Sequence, residues 1–159
     1  MDTNPGVQKK KGFGCLEIAI VTFVFLVLAA IAIPDFLHFC GKGKQSEAKT
    51  NLGAIFTTQI SYFAEHHTYA GGPNAFKLLN WEPEGQNMYA YACGDEYLPN
   101  KKGDMSYANV IPPWPAGVRP ASSKTGFTCM AVGNIDNDTN LDIWSINDAK
   151  ELVNQMNDI

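Results

Sequence analysis

The chain is poor in the residues that most chemistry needs. Only 18% of its 159 residues are charged, and histidine occurs three times. It has no G-x-x-x-x-G-K-[ST] loop, no nucleophile elbow and no Ser-His-Asp spacing, so nothing in it points to nucleotide hydrolysis or triad catalysis. Its four cysteines, Cys15, Cys40, Cys93 and Cys129, make neither C-x-x-C nor C-x-x-C-H, which removes the usual zinc, thioredoxin-like and haem-attachment patterns. No basic stripe is present and the formal charge is -4, so nucleic acid is not expected as a main partner. His66 and His67 are neighbours on a helix pattern and do not face one site. They read as cations at the negative end of a helix dipole. No internal repeat is visible. A hydrophobic share of 45% is too high for disorder by composition, and the length suggests one domain with an appendage.

What the chain does have is concentrated near its start. Lys9, Lys10 and Lys11 stop at Gly12; Phe13-Gly14-Cys15-Leu16-Glu17 follows, and the run is then apolar to Ile33. As a helix, residues 13–33 span about 32 Å, close to the hydrocarbon thickness of a bilayer. The lysines would stay cytoplasmic and leave the C-terminal bulk outside. Glu17 is the puzzle, because a carboxylate at the bilayer centre costs a few kcal/mol. A secretory signal peptide matches the charged start, the apolar middle and an A-x-A site at Ala30-Ile31-Ala32. It explains neither Glu17 nor the helical pattern beyond Pro34. A lipidated cysteine should follow the apolar run, and Cys15 precedes it. A plain single-span anchor gives Glu17 no task.

Gly12-Phe13-x-x-x-Glu17, followed by Leu28-Ala29-Ala30-Ile31-Ala32-Ile33-Pro34, resembles the N-terminus of bacterial type IV prepilins, type IVa-like. The family usually has Thr-Leu after the phenylalanine, where this chain has Gly14-Cys15. The resemblance implies that a prepilin peptidase cuts between Gly12 and Phe13 and that Phe13 is N-methylated. Glu17 then becomes the fifth mature residue. It also implies a subunit that waits in the inner membrane, N-terminus cytoplasmic, among lipid. Inner-membrane assembly machinery then polymerises it with its own copies into an extracellular fibre for adhesion and twitching motility. The resemblance makes Phe13, Glu17 and Pro34 the expected assembly residues. In the fibre, Glu17 would meet the new amine of Phe13 on a neighbour, in a low-dielectric core where such a pair is strong.

The rest of the chain predicts an α+β fold, a long N-terminal helix packed on a small antiparallel head. The expected divisions are a leader at 1–12, a membrane or fibre-core helix at 13–34, and a head at 35–159. Pro34 should kink or open the helix. Beyond it, Ala48, Leu52, Ile55, Phe56, Gln59, Ile60, Phe63 and Ala64 recur every three or four residues, an amphipathic pattern running to about residue 66. Lys44, Glu47, Lys49 and Asn51 form its polar face, and Tyr69-Ala70-Gly71-Gly72-Pro73 ends it with turn chemistry. Strands are expected at 88–93, 126–132 and 141–146, the last with Leu141, Ile143 and Ser145 on one face. The Pro-, Gly- and Ser-rich stretch 99–125 reads as a surface loop with a short strand at 106–110. Residues 148–157 read as a short closing helix.

Cys93 and Cys129 fall on two predicted strands in a compartment that permits disulfides, so a bond between them is expected. It would contribute about 3 to 4 kcal/mol on the chain-entropy account. Cys15 and Cys40 lie roughly 37 Å apart along a helix and cannot pair within one chain. Asp136, Asp138, Asn140 and Asp142 alternate as in the opening of a calcium loop, without its central glycine or closing glutamate. Either they hold Ca2+ or they form an Asx-rich turn. No other cofactor and no enzymatic activity is expected. The helix aromatics read as packing residues, with charge conduction the sharper alternative. Two further functions stand beside the pilus subunit. One is a major pseudopilin of a type II secretion system, marked by calcium in the 136–142 loop. The other is a membrane-tethered periplasmic redox or metal-binding protein using the cysteines or aspartates.

Overall fold

The computed structural model describes residues 14–101, 114–135 and 140–158. The leader, Phe13, the strand expected at 106–110, Asp136 and Asp138 lie outside these. The architecture is α+β, as expected. Helix α1 is Cys15–His66. A 3-10 turn, Gly72–Asn74, leads into a single turn of helix, α2, at Ala75–Leu78. Among the described residues six strands follow: β1 (Ala90–Cys93), β2 (Glu96–Leu98), β3 (Ala121–Ser122), β4 (Phe127–Gly133), β5 (Asp142–Asn147) and β6 (Leu152–Met156). The chain divides into two compact units, 1–38 and 39–159. It remains helical through Pro34, and the division falls one turn later.

In the larger unit the strands form one antiparallel sheet in the order β2-β1-β4-β5-β6, with β3 paired to the first residues of β4. Strand alternation puts Phe127, Cys129 and Ala131 of β4, with Trp144 and Ile146 of β5, into one cluster with Ala48, Leu52 and Ile55 of α1. The opposite residues, Met130, Val132 and Ile143, join Leu141 under Trp114 and Val118. The expected face of Leu141, Ile143 and Ser145 is therefore real, but it turns away from α1. Trp144 and Ile146 face α1. Both sheet faces are covered, which is why β5 is buried at five consecutive positions and its apolar residues do not simply alternate.

The structure corrects three expectations. Residues 148–157 are not a helix: 148–149 make a turn, Lys150 adopts φ +61° and the chain returns as β6. The polar side of α1 is not simply a solvated face. Glu47 Oε1 accepts hydrogen bonds from the backbone N–H groups of Met88 (2.9 Å) and Tyr89 (3.2 Å). Asn51 Nδ2 donates to the Tyr91 hydroxyl at 2.7 Å, and Lys44 Nζ donates to the Ile135 carbonyl. Ile60, read as a core position, is 39% exposed. Two short strands, β2 and β3, were not expected from the pattern.

Gly94 and Gly133 are among the glycines required by close approach. Gly94, in the β1–β2 turn at φ +61°, has the backbone of Gly71 and Gly72 within 3.2 Å of where a Cβ would stand. Gly133 faces the Tyr89 ring, whose Cδ1 would lie 2.9 Å from such a Cβ.

Candidate assembly helix and the head that carries it

The first part of α1 is apolar on every side. Cys15–Ile33 has a mean hydropathy of 2.8 and none of it is buried. Phe23, Phe25 and Leu28 are each at least 60% exposed. A helix that is hydrophobic all round belongs in lipid or inside an assembly of other helices.

Glu17 is exposed at the start of this helix. The Ile18 N–H donates to the Gly14 carbonyl at 3.2 Å, which makes Gly14 the N-cap. Glu17 is then the third helical residue, and its Oε2 accepts a hydrogen bond from the Gly14 N–H at 3.1 Å. That is the reciprocal arm of a capping box. The carboxylate also sits at the positive end of the helix dipole. Glu17 therefore has a task within its own chain, which the sequence reading missed. The spacing was visible, since a glutamate stands three residues after a glycine that can cap. Cleavage between Gly12 and Phe13 would put the new amine one residue before this N–H.

In the head, Cys93 and Cys129 stand opposite each other on β1 and β4 and are joined by a disulfide, with Cα atoms 4.4 Å apart. Both are fully buried. A thiol exchange partner cannot reach them without opening the core. Gln59 lies against the bond, its Nε2 3.2 Å from Cys93 Sγ. The same amide clamps Ala70, donating to its carbonyl and accepting from its N–H, both at 2.9 Å. Gln59 thus fixes the chain where it leaves α1. Cys15 and Cys40 are free and exposed.

Of the four candidate calcium ligands, Asn140 and Asp142 are described, and Asp142 is the informative one. It is fully buried. Its Oδ1 accepts from Gln45 Nε2 of α1 (2.9 Å) and from Asn154 Nδ2 of β6 (3.0 Å). Its Oδ2 accepts from the Tyr89 hydroxyl (2.6 Å) and from Trp144 Nε1 (2.5 Å). Four donors satisfy both oxygens of a buried carboxylate. Among the described residues, no three His, Cys, Asp or Glu side chains gather where they could share a metal ion. Tyr89 pays the electrostatic cost of this network. Burial raises its pKa above the usual tyrosine value, and the hydrogen bond to Asp142 raises it further. Burial also raises Tyr91; the Asn51 amide works against this and the Glu47 carboxylate adds to it.

No family model matches the chain. Among curated proteins, the type IV major pilin protein PilA of Myxococcus xanthus (strain DK1622) is 37% identical over 132 residues. The match covers 82% of this chain and 56% of that protein, so the chain spans little more than half the length of its relative. The chain belongs to the type IV pilin family. The fold agrees, with a long helix apolar at its start and an antiparallel sheet closed by a disulfide. In this pilin the sheet and its flanking loops are held to α1 by polar clamps at Lys44, Gln45, Glu47, Asn51 and Gln59 as well as by apolar packing.

Proposed function

We propose that this pilin is a structural subunit, without enzymatic activity, that polymerises with its own copies into a surface fibre. The carrying observation is the all-round exposure of Cys15–Ile33 beside a head whose own core is complete. Such a helix is stable first in the membrane and then against the same helix of other subunits. The similarity to a major pilin supports this reading. In the proposed route the chain is an inner-membrane precursor. A prepilin peptidase cuts it after Gly12, Phe13 is methylated, and assembly machinery extracts it into the fibre. Phe13, Glu17 and Pro34 carry register and packing, and the fibre serves adhesion and twitching motility.

The capping bond refines the role of Glu17. In the membrane precursor the Gly14 N–H offsets part of the cost of the carboxylate. In the fibre the Phe13 amine of a neighbour supplies the counter-charge. The test is to shear surface fibres from cells, examine them by electron microscopy and sequence their protein. The expected result is a fibre built of this chain. Recovery of the chain only as a monomer in the membrane or medium would contradict it.

A further inference from the structure

We infer that the head carries a binding groove for a neutral oligosaccharide, lined by α1 and the loop 80–87 and crossed by Trp81. The inference concerns the head alone and does not rest on fibre formation.

The groove has a volume of about 790 Å³, which is in the range of small-molecule sites. Its helical wall comes from two rows of α1. Ser46, Thr50 and Ala54 form one row at intervals of four, and Glu47 and Asn51 the next. The first row is made of small side chains, which is what leaves the space. Trp81 also lines a second concavity of about 500 Å³, together with Phe76, Leu98 and Lys101. The indole is thus shared by two adjoining hollows, as a stacking platform between two sugar rings would be. It is only half-buried, yet held firmly. Phe76 packs at 5.4 Å and Tyr91 edge-on at 5.2 Å between ring centroids. The Trp81 backbone N–H donates to the Phe76 carbonyl at 3.0 Å. Asn80, at φ +48°, sets the chain's entry to the loop.

The polar groups fall into two sets. Glu47, Asn51 and Asn87 are engaged in the head's own hydrogen bonds and give a fixed back wall. Thr50, Asn80, Glu84 and Gln86 are exposed, and their side chains make no hydrogen bond to a described group. Hydroxyl, amide and carboxylate groups around one aromatic face suit a ligand with an apolar ring face and many hydroxyls. Charge narrows the class. The two hollows together are lined by Glu47, Glu82, Glu84 and Glu96 against Lys77 and Lys101, and Lys101 is paired to Glu82. An anionic polymer is repelled, so nucleic acid and uronic or sulfated glycans are excluded in favour of a neutral glycan.

The test uses the full-length chain in a non-sugar detergent, titrated with maltohexaose, cellohexaose and chitohexaose by calorimetry and by saturation-transfer NMR. Saturable binding of at least one is expected, unchanged by added salt because the ligand is neutral. Trp81→Ala should weaken it about tenfold or more through lost stacking. Because Trp81 also packs on Phe76 and Tyr91, Thr50→Tyr is the second variant. It fills the groove from an exposed helix position and should leave the Tm unchanged while weakening binding about tenfold or more. Binding of none of the three hexasaccharides would overturn the inference. So would binding that survives Thr50→Tyr, or salt-sensitive binding of octalysine in place of the sugars. Fibre formation is scored separately, so failure here and failure of the assembly reading remain distinguishable.

Discussion

Asp142 draws together parts of the chain that are far apart in sequence. Gln45 lies 97 residues before it and Tyr89 53. Asp142→Asn keeps the shape but offers one accepting oxygen where there were two, and points an amide at existing donors. The expected loss is about 3 kcal/mol, seen as a lower Tm of the detergent-solubilised chain. Tyr89 gives a pH signature. Its pKa in the folded state is raised above the usual tyrosine value by burial and by the hydrogen bond to Asp142, so the folded state holds the proton more tightly than the unfolded chain. Its contribution to stability is complete below about pH 10 and is lost as pH rises beyond that. A Tm measured from pH 8 to 11 should be level at first and then fall, and Tyr89→Phe should flatten the fall. None of this was legible in the sequence. The run at 136–142 shows only alternating oxygen-bearing side chains, and the donors that claim Asp142 come from α1, from residue 89 before β1, and from β5 and β6.

At the scale of the elements, what was legible followed from periodicity. The pattern along α1 located Ala48, Leu52, Ile55 and Gln59, all fully buried. The strands at β1, β4 and β5 were found from their apolar residues within one or two positions, and the disulfide was expected mainly because the compartment permits one; that β1 and β4 are neighbours in the sheet was not legible. β6 was misread because Glu151, Leu152, Gln155 and Met156 are good helix formers. Pairing with β5 from Ile146↔Leu152 onward overrides that local preference. The two-residue β3 and three-residue β2 are too short to show a period. Gly133 tests the packing of β4. Gly133→Ala forces a methyl onto a Tyr89 ring that is held by Asp142. A loss of about 1 to 3 kcal/mol in chemical denaturation is expected, whereas Ala at Gly53, where nothing lies within 4 Å, should be neutral or slightly stabilising.

For the whole molecule, the sequence already raised the expectation that one end is suited to lipid or to a fibre, because an apolar run broken by a single acid is readable without coordinates. It did not show that Glu17 caps its own helix, and this separates two contributions. Glu17→Gln keeps an oxygen for the Gly14 N–H but removes the charge; Glu17→Ala removes both. The expectation is that Glu17→Gln still accumulates in the membrane at the normal level yet fails to form fibres, counted by electron microscopy. Fibres from Glu17→Gln at the normal number would mean that capping, and not charge pairing, is the glutamate's whole role.

The most direct check on the proposed processing and assembly is the intact mass of the chain recovered from sheared surface fibres. The account predicts one species that begins at Phe13, carries one added methyl, and is two hydrogens lighter for the Cys93–Cys129 bond. A surface or secreted species that begins after Ala32, or a full-length chain with Met1 retained, would contradict it.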